Sequence, residues 1–304
     1  MDFATQPLPF EPTQLTGLSE ALITSHYKNN YGGAVQRLNT IRRHIAALDP
    51  VSAPGFILNG LKREELVALN SMLLHEVYFD GLGGNGQLPE GGLADALAAN
   101  FGSVDRWRSE FIAMGKALAG GSGWVLLSYL PRDGILINQW AADHTHAAAG
   151  AFPILALDMY EHSYHIDFGS AAGKYVDAFM TNVDWARVTA RYRRAVFAAS
   201  EGLGVPAAAL REALGQTTVL DVRRASVYAG AKEKVTGAVW RDPSKLAQWT
   251  SDLPRDKDIA IYCVHGHEVS RATAVALSAT GLKVKYLTGG IEGWKTAGGT
   301  LEPA

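Results

Sequence analysis

Apolar residues in this chain change their spacing along its length, and those changes restrict the fold more than any other feature. From residue 15 to 48 they recur at helical period: Leu15, Leu18 and Leu22, then Val35, Leu38, Ile41, Ile45 and Leu48. Asn30 and the pair Gly32 and Gly33 interrupt the run and predict a kink or break there, and Pro50 and Pro54 close it. A second helix is expected over 62–79, with Leu66, Leu69, Leu73 and Phe79 on one stripe. Residues 81–92 hold six glycines and read as a loop, followed by shorter helices over 93–100 and 103–118. At 124–129, 135–139 and 154–157 the pattern becomes strand-like, with Pro131-Arg132-Asp133-Gly134 as a turn. Helix returns over 170–198. Beyond 216, strands at 217–220, 259–262 and 284–287 alternate with a helix at 272–279, which implies a parallel sheet.

A length of 304 residues fits two domains, each able to bury its own core. Residues 200–216, rich in Gly and Ala, read as the linker, with Pro206 placed to open a short helix. With 47% hydrophobic and 19% charged residues, the chain reads as soluble and globular. A net charge of −2 gives no electrostatic case for nucleic acid or an acidic membrane surface. No apolar run approaches the ~20 residues of a membrane span. Residues 1–12 carry three prolines and no apolar core behind a basic end, so no secretory signal is expected. A single cysteine makes no internal disulfide, and a reducing, cytoplasmic setting is expected.

Four residues stand out as metal ligands: His26, His75, Asp158 and His162. Taken singly, each has an ordinary reading. His26 reads equally as a surface or capping histidine, His75 as a core residue among Met72, Leu74 and Phe79, and Asp158 as a turn cap. Together, three neutral imidazoles and one carboxylate form an N/O set suited to iron or manganese.

Residues 7–199 resemble the iron/manganese superoxide dismutase family along almost their whole length. The resemblance is carried by Pro7-Leu8-Pro9-Phe10, by residues 101–107 (Phe101 to Trp107) and by Gly121-Ser122-Gly123-Trp124-Val125. It is carried further by residues 158–164, from Asp158-Met159-Tyr160-Glu161-His162 onward, and by Asn182-Val183-Asp184-Trp185. It implies a helical hairpin over 1–85 and an α/β metal-binding part over 86–199, with a mixed three-stranded antiparallel sheet. It implies one manganese or iron per chain on His26, His75, Asp158 and His162. The implied reaction disproportionates superoxide into oxygen and, with two protons, hydrogen peroxide. Gln139 falls where the family's manganese enzymes supply the glutamine that bonds metal-bound solvent; iron enzymes usually supply it at the place held here by Ser71. That leans toward manganese. Trp124 is expected in the aromatic wall. Glu161, beside His162, implies a homodimer, because this glutamate bonds the partner's last ligand histidine in the family. Asp143-His144-Thr145-His146 is expected to be a solvated loop.

The chain departs from the family at several places. The gateway tyrosine is Ala34, the histidine four residues after the first ligand is Asn30, the signature tryptophan is Tyr160, and the tyrosine three residues after the last ligand is His165. Tyr31 is expected to supply a substitute phenol, against ordinary helix packing. The losses keep two rivals open: a dismutase-shaped scaffold or sensor beside an active second domain, and a pair of partner-binding domains without turnover.

Cys263 follows an apolar strand and precedes Val264-His265-Gly266-His267-Glu268-Val269-Ser270-Arg271 and a helical run. A loop between strand and helix turns backbone N–H groups inward, a cradle that favours a thiolate or a bound anion; the plainer reading is a buried, inert cysteine. Residues 217–304 resemble a rhodanese domain, an α/β fold on a parallel sheet, through Leu220-Asp221-Val222-Arg223, Val235-Thr236-Gly237-Ala238 and residues 287–294. The family's nucleophile falls on Cys263, which implies sulfur transfer through a persulfide, with donor and acceptor unknown. Lys234 replaces a usual histidine, Glu268 opposes anions, and Arg271 is expected to be the nearest cation. The loop and the fusion resemble rhodanese modules of bacterial chromate-resistance proteins, which implies oxidative or metal-oxyanion stress.

Overall fold

The computed structural model describes residues 2–304; Met1, the first residue of the segment read as carrying no leader, lies outside them. Helix α1 (Glu20–Ser25) is capped by Ser19, whose side chain accepts from Leu22 N–H at 3.0 Å. The expected break is a π-helical segment, His26–Tyr31, which runs without a gap into α2 (Gly32–Ala47). A π turn holds one extra residue per turn, which rotates the side chains before it relative to those after it. Helix α3 (Gly55–Asp80) starts earlier than the spacing predicts and lies against α2 as a hairpin. Then come α4 (Gly92–Phe101), α5 (Val104–Ala117) and strands β1 (Trp124–Leu130), β2 (Ile135–Ala141) and β3 (Phe152–Asp158), antiparallel in the order β2-β1-β3.

After α6 (His165–Phe168), the stretch expected as one helix over 170–198 is two, α7 (Ala172–Thr181) and α8 (Trp185–Ala199). The chain turns between α7 and α8 because Asn182 bonds the backbone of Thr16, and Asp184 caps α8 by accepting from Ala186 and Arg187 N–H. These elements share one apolar core, which includes Trp107, Phe111, Trp124 and Tyr175.

The second unit begins sooner than the spacing predicts. Residues 200–216, expected as a linker, contain β4 (Gly204–Val205) and α9 (Ala207–Ala213). The chain continues as β5 (Thr218–Asp221), α10 (Ala225–Tyr228), β6 (Glu233–Val235), β7 (Val239–Trp240), α11 (Leu246–Trp249), β8 (Ile259–Tyr262), α12 (Glu268–Ala279), β9 (Val284–Leu287), α13 (Gly290–Thr296) and β10 (Leu301–Pro303). Strands β4-β9-β8-β5-β7 form a parallel sheet with β4 at its edge, while β10 and β6 pair antiparallel. Successive residues of β8 face opposite ways: Ile259 and Ile261 join a core with Ala274 and Leu277, Ala260 and Tyr262 one with Ile291 and Trp294. No helix of the described residues is long and apolar enough to cross a membrane.

Candidate metal centre

Asp158 ends β3, and the next turn fixes how it points. Its Oδ1 accepts the Tyr160 N–H at 2.9 Å, while Ser163 Oγ donates to the Asp158 carbonyl at 2.8 Å. Oδ2 faces three imidazoles: Nε2 of His26 at 3.1 Å, of His162 at 3.2 Å and of His75 at 3.5 Å. His26 comes from the π segment, His75 from α3 and His162 from the turn after β3. The four expected ligands therefore converge, with ligand atoms all within 4.8 Å of one another.

The ring tautomers bear on what such a group can hold. His75 Nδ1 lies 2.6 Å from the Ser71 carbonyl, so it carries the proton and donates. Nε2 then presents a lone pair to a carboxylate oxygen, and it is buried with no hydrogen-bond partner. Two lone pairs facing each other across 3.5 Å repel unless a cation lies between them. Donors ~2.1 Å from an ion and 90–120° apart stand roughly 3.0–3.6 Å from each other, the range of the three separations from Asp158 Oδ2. Burial holds His26 below its ordinary pKa and pushes His75 down to about 3. Burial alone would raise Asp158, but His162 and His26 outweigh it and keep the carboxylate charged. Three neutral imidazoles and one carboxylate are a fit set for iron or manganese, one ion per chain.

The surroundings correct two expectations. Gln139 stands on the sheet face of Trp124, but one step further out, opposite Leu126. Its amide N–H donates to the His146 carbonyl at 3.0 Å, and its Oε1 is buried without a partner. Of the loop expected to be solvated, His144 comes to the centre instead, while His146 stays exposed. Trp124 Nε1 donates to His144 Nδ1 at 3.0 Å, and His144 stacks on Tyr160 with centroids 4.8 Å apart. Tyr160 stacks in turn on His162 at 5.4 Å, so the residue in place of the signature tryptophan carries a ligand ring on one face and His144 on the other. Trp124 meets His75 edge-on at 5.3 Å, as expected of the aromatic wall. Gly123 makes its position possible: at φ +137° its Cα lies so close to β2 that a Cβ would stand 2.1 Å from the Ala141 carbonyl. His144 was missed because its partners are distant in sequence; the sequence signal was a tryptophan N–H requiring an acceptor.

Tyr31 is buried and stacks on His75 at 6.2 Å, but its hydroxyl points elsewhere. It donates to Glu76 Oε1 at 3.0 Å and accepts the Gln6 N–H at 2.7 Å, and burial raises its pKa. Tyr31 and His144 both line a cavity of about 800 Å³; a separate one of about 270 Å³ is lined by Asn30, Ala34, Arg37, Ser71 and His144, and does not include Tyr31. Glu161 and His165 are exposed beside His162.

Cys263 lies at the end of β8, buried, with Sγ 3.2 Å from Ser270 Oγ. Helix α12 starts at Glu268, earlier than the spacing predicts, so the loop is residues 263–267. Two expected charges face away from the thiol. Glu268 pairs with Arg193 of α8 at 3.0 Å, and Arg271 Nε donates to the Gly266 carbonyl at 2.9 Å.

Residues 89–191 match the family model for the C-terminal domain of iron/manganese superoxide dismutases, and residues 206–297 match that of the rhodanese-like domain. An iron superoxide dismutase of Cupriavidus metallidurans is 63% identical over 196 residues, which are 64% of this chain and 99% of that protein. A manganese superoxide dismutase of Halobacterium salinarum is 34% identical over 201 residues, 64% of this chain and 96% of its own length. An iron superoxide dismutase of Aquifex pyrophilus is 29% identical over 194 residues, 61% of this chain and 89% of its own.

Proposed function

Because the chain belongs to the iron/manganese superoxide dismutase family and carries a rhodanese-like domain, we propose that it disproportionates superoxide at the His26, His75, Asp158 and His162 centre and handles sulfur at Cys263. The observation that supports the first part most is the lone pair of His75 Nε2 set against Asp158 Oδ2 in a buried site. An iron or manganese ion held there supplies the one-electron couple that the reaction needs. The lean to manganese rested on Gln139; with that amide bonded to His146, the donor set suits either metal.

His144 takes the place expected for Gln139. Its Nδ1 accepts from Trp124, so the neutral ring carries its proton on Nε2. It lines the cavity beside Ala34, where a small anion meets an N–H donor. Reduction of superoxide to peroxide consumes two protons, and a donor held in one tautomer supports that step. Arg37, also lining this cavity, is paired with Glu64. Tyr31 supports the centre by packing beneath His75 and not as a phenol in this cavity. Glu161 and His162 lie at the surface through which a homodimer forms.

At Cys263, a persulfide donor passes its outer sulfur to the thiolate and leaves as a thiolate, and an acceptor thiol later takes that sulfur. The reading rests on the loop between β8 and α12. Glu268 is paired with Arg193 and Arg271 with the Gly266 carbonyl, so Arg271 is not turned to select a dianion such as thiosulfate. A cytoplasmic role in oxidative or chromate-like stress fits a dismutase fused to a sulfur carrier.

Metal analysis of the purified full chain, with a superoxide assay, tests the first part: about one iron or manganese per chain and turnover are expected. A metallated protein without turnover would favour the scaffold reading. A mass gain of one sulfur on Cys263 after incubation with a low-molecular-weight persulfide tests the second.

A further inference from the structure

Three residues of α8, Arg193, Phe197 and Ser200 just beyond its end, stand at i, i+4 and i+7, on one face of the helix. All three touch the cysteine loop or the first turn of α12. Arg193 grips Glu268 with both ends of its guanidinium, Nε to Oε2 at 3.0 Å and Nη2 to Oε1 at 3.2 Å. The Phe197 ring lies 4.2 Å from the Arg271 guanidinium, and Tyr286 of β9 covers the other side at 4.3 Å. Ser200 Oγ accepts from Arg271 Nη1 at 3.3 Å.

Arg271 links this face to the loop. Its Nε donates to the carbonyl of Gly266 at 2.9 Å. Gly266 turns the loop at φ +71°, where a Cβ would come within 2.8 Å of the Leu287 carbonyl. The direction of the loop's backbone N–H groups depends on that turn, and the turn is held by a side chain clamped between the two domains. Glu268, the first residue of α12, is held away from the thiol by the same face.

We infer that the α8 face of the dismutase domain positions the Cys263 loop, with Arg271 as the positioning residue, so that the sulfur site is completed by the fusion. The inference rests on the reading of Cys263 as a sulfur carrier. Arg271 and Phe197 act through the loop and do not touch the sulfur.

The test uses the full chain and three variants: Phe197→Leu, which keeps apolar volume and loses the ring face; Phe197→Tyr, which keeps both; and Arg271→Gln. Metal content and melting temperature report on folding. Iodoacetamide labelling of Cys263 at fixed pH reports on the loop, and sulfur uptake from a low-molecular-weight persulfide reports on its use. For Phe197→Leu and Arg271→Gln, the loosened cradle holds less thiolate, so labelling and uptake both fall by roughly threefold or more, while Phe197→Tyr matches the parent. Phe197→Leu labelling at the parent rate overturns the positioning role. If the parent itself takes up no sulfur, the sulfur-carrier reading fails, and labelling alone still decides whether the α8 face sets the loop.

Discussion

Trp124 and His144 are joined by one hydrogen bond, indole N–H to Nδ1 at 3.0 Å, and that bond decides which nitrogen of His144 carries a proton. His144→Ala removes the donor without touching a ligand. Dismutation is expected to fall ~10²–10⁴-fold while metal content stays near that of the parent. Trp124→Phe keeps a ring beside His75 and frees the tautomer, with a loss nearer ~5-fold, the size of one hydrogen bond at ~1 kcal/mol. Full activity in His144→Ala would remove it from the reaction.

His75→Ala and Asp158→Ala are expected to lose metal and melting temperature together. Binding to the folded state alone stabilises by RT ln(1 + [L]/Kd), ~2.7 kcal/mol at a hundredfold excess over Kd. Elemental analysis beside a thermal melt checks this, and full metal in either variant would contradict the ligand assignment.

Acid should destabilise the metal-free protein. The fold keeps His26 and His75 neutral by burial, His75 down to about 3, whereas unfolded histidines protonate near ~6.5. The unfolded chain then binds more protons below that value, so stability is complete above it and declines as pH falls toward 3. Melts of chelator-treated protein at pH 8, 6.5 and 5 should drop in that order. A flat or rising series would mean that the imidazoles are not held neutral.

Tyr31→Phe separates packing from chemistry. The Gln6 N–H and the half-buried Glu76 lose a partner, at a cost of ~1–3 kcal/mol, and the ring beneath His75 remains. Lower stability with dismutation within about twofold is expected; a rate loss as large as that of His144→Ala would restore the phenol to the mechanism.

Glu161 is exposed and makes no salt bridge among the described residues. Glu161→Ala should shift sedimentation toward monomer. An unchanged dimer would move the interface elsewhere.

The convergence of His26, His75, Asp158 and His162 was legible because aspartate and histidine four apart, in a segment that resembles the family along almost its whole length, leave little choice of geometry. Gln139 shows where the pattern ran out. The resemblance pointed to Gln139, and it does share the sheet face of Trp124, yet the position along the ladder depends on the hairpin turn, and the loop after β2 folds back and brings His144 in. The break between α7 and α8 depends on Asn182 bonding Thr16, a contact across 166 residues. Strand β4 is two residues long and has no period of its own; only its pairing with β9 makes it a strand.

That two-residue strand has a consequence for handling the molecule in parts. A fragment starting at 217, where the spacing places the boundary, would lack β4 and α9 and leave the N–H and C=O groups of β9 without their outer neighbour. An open strand of this kind, Val284 to Leu287, recruits another copy of itself. Such a fragment should associate edge to edge, whereas one cut directly after Ala199 keeps its own border strand and should stay dispersed.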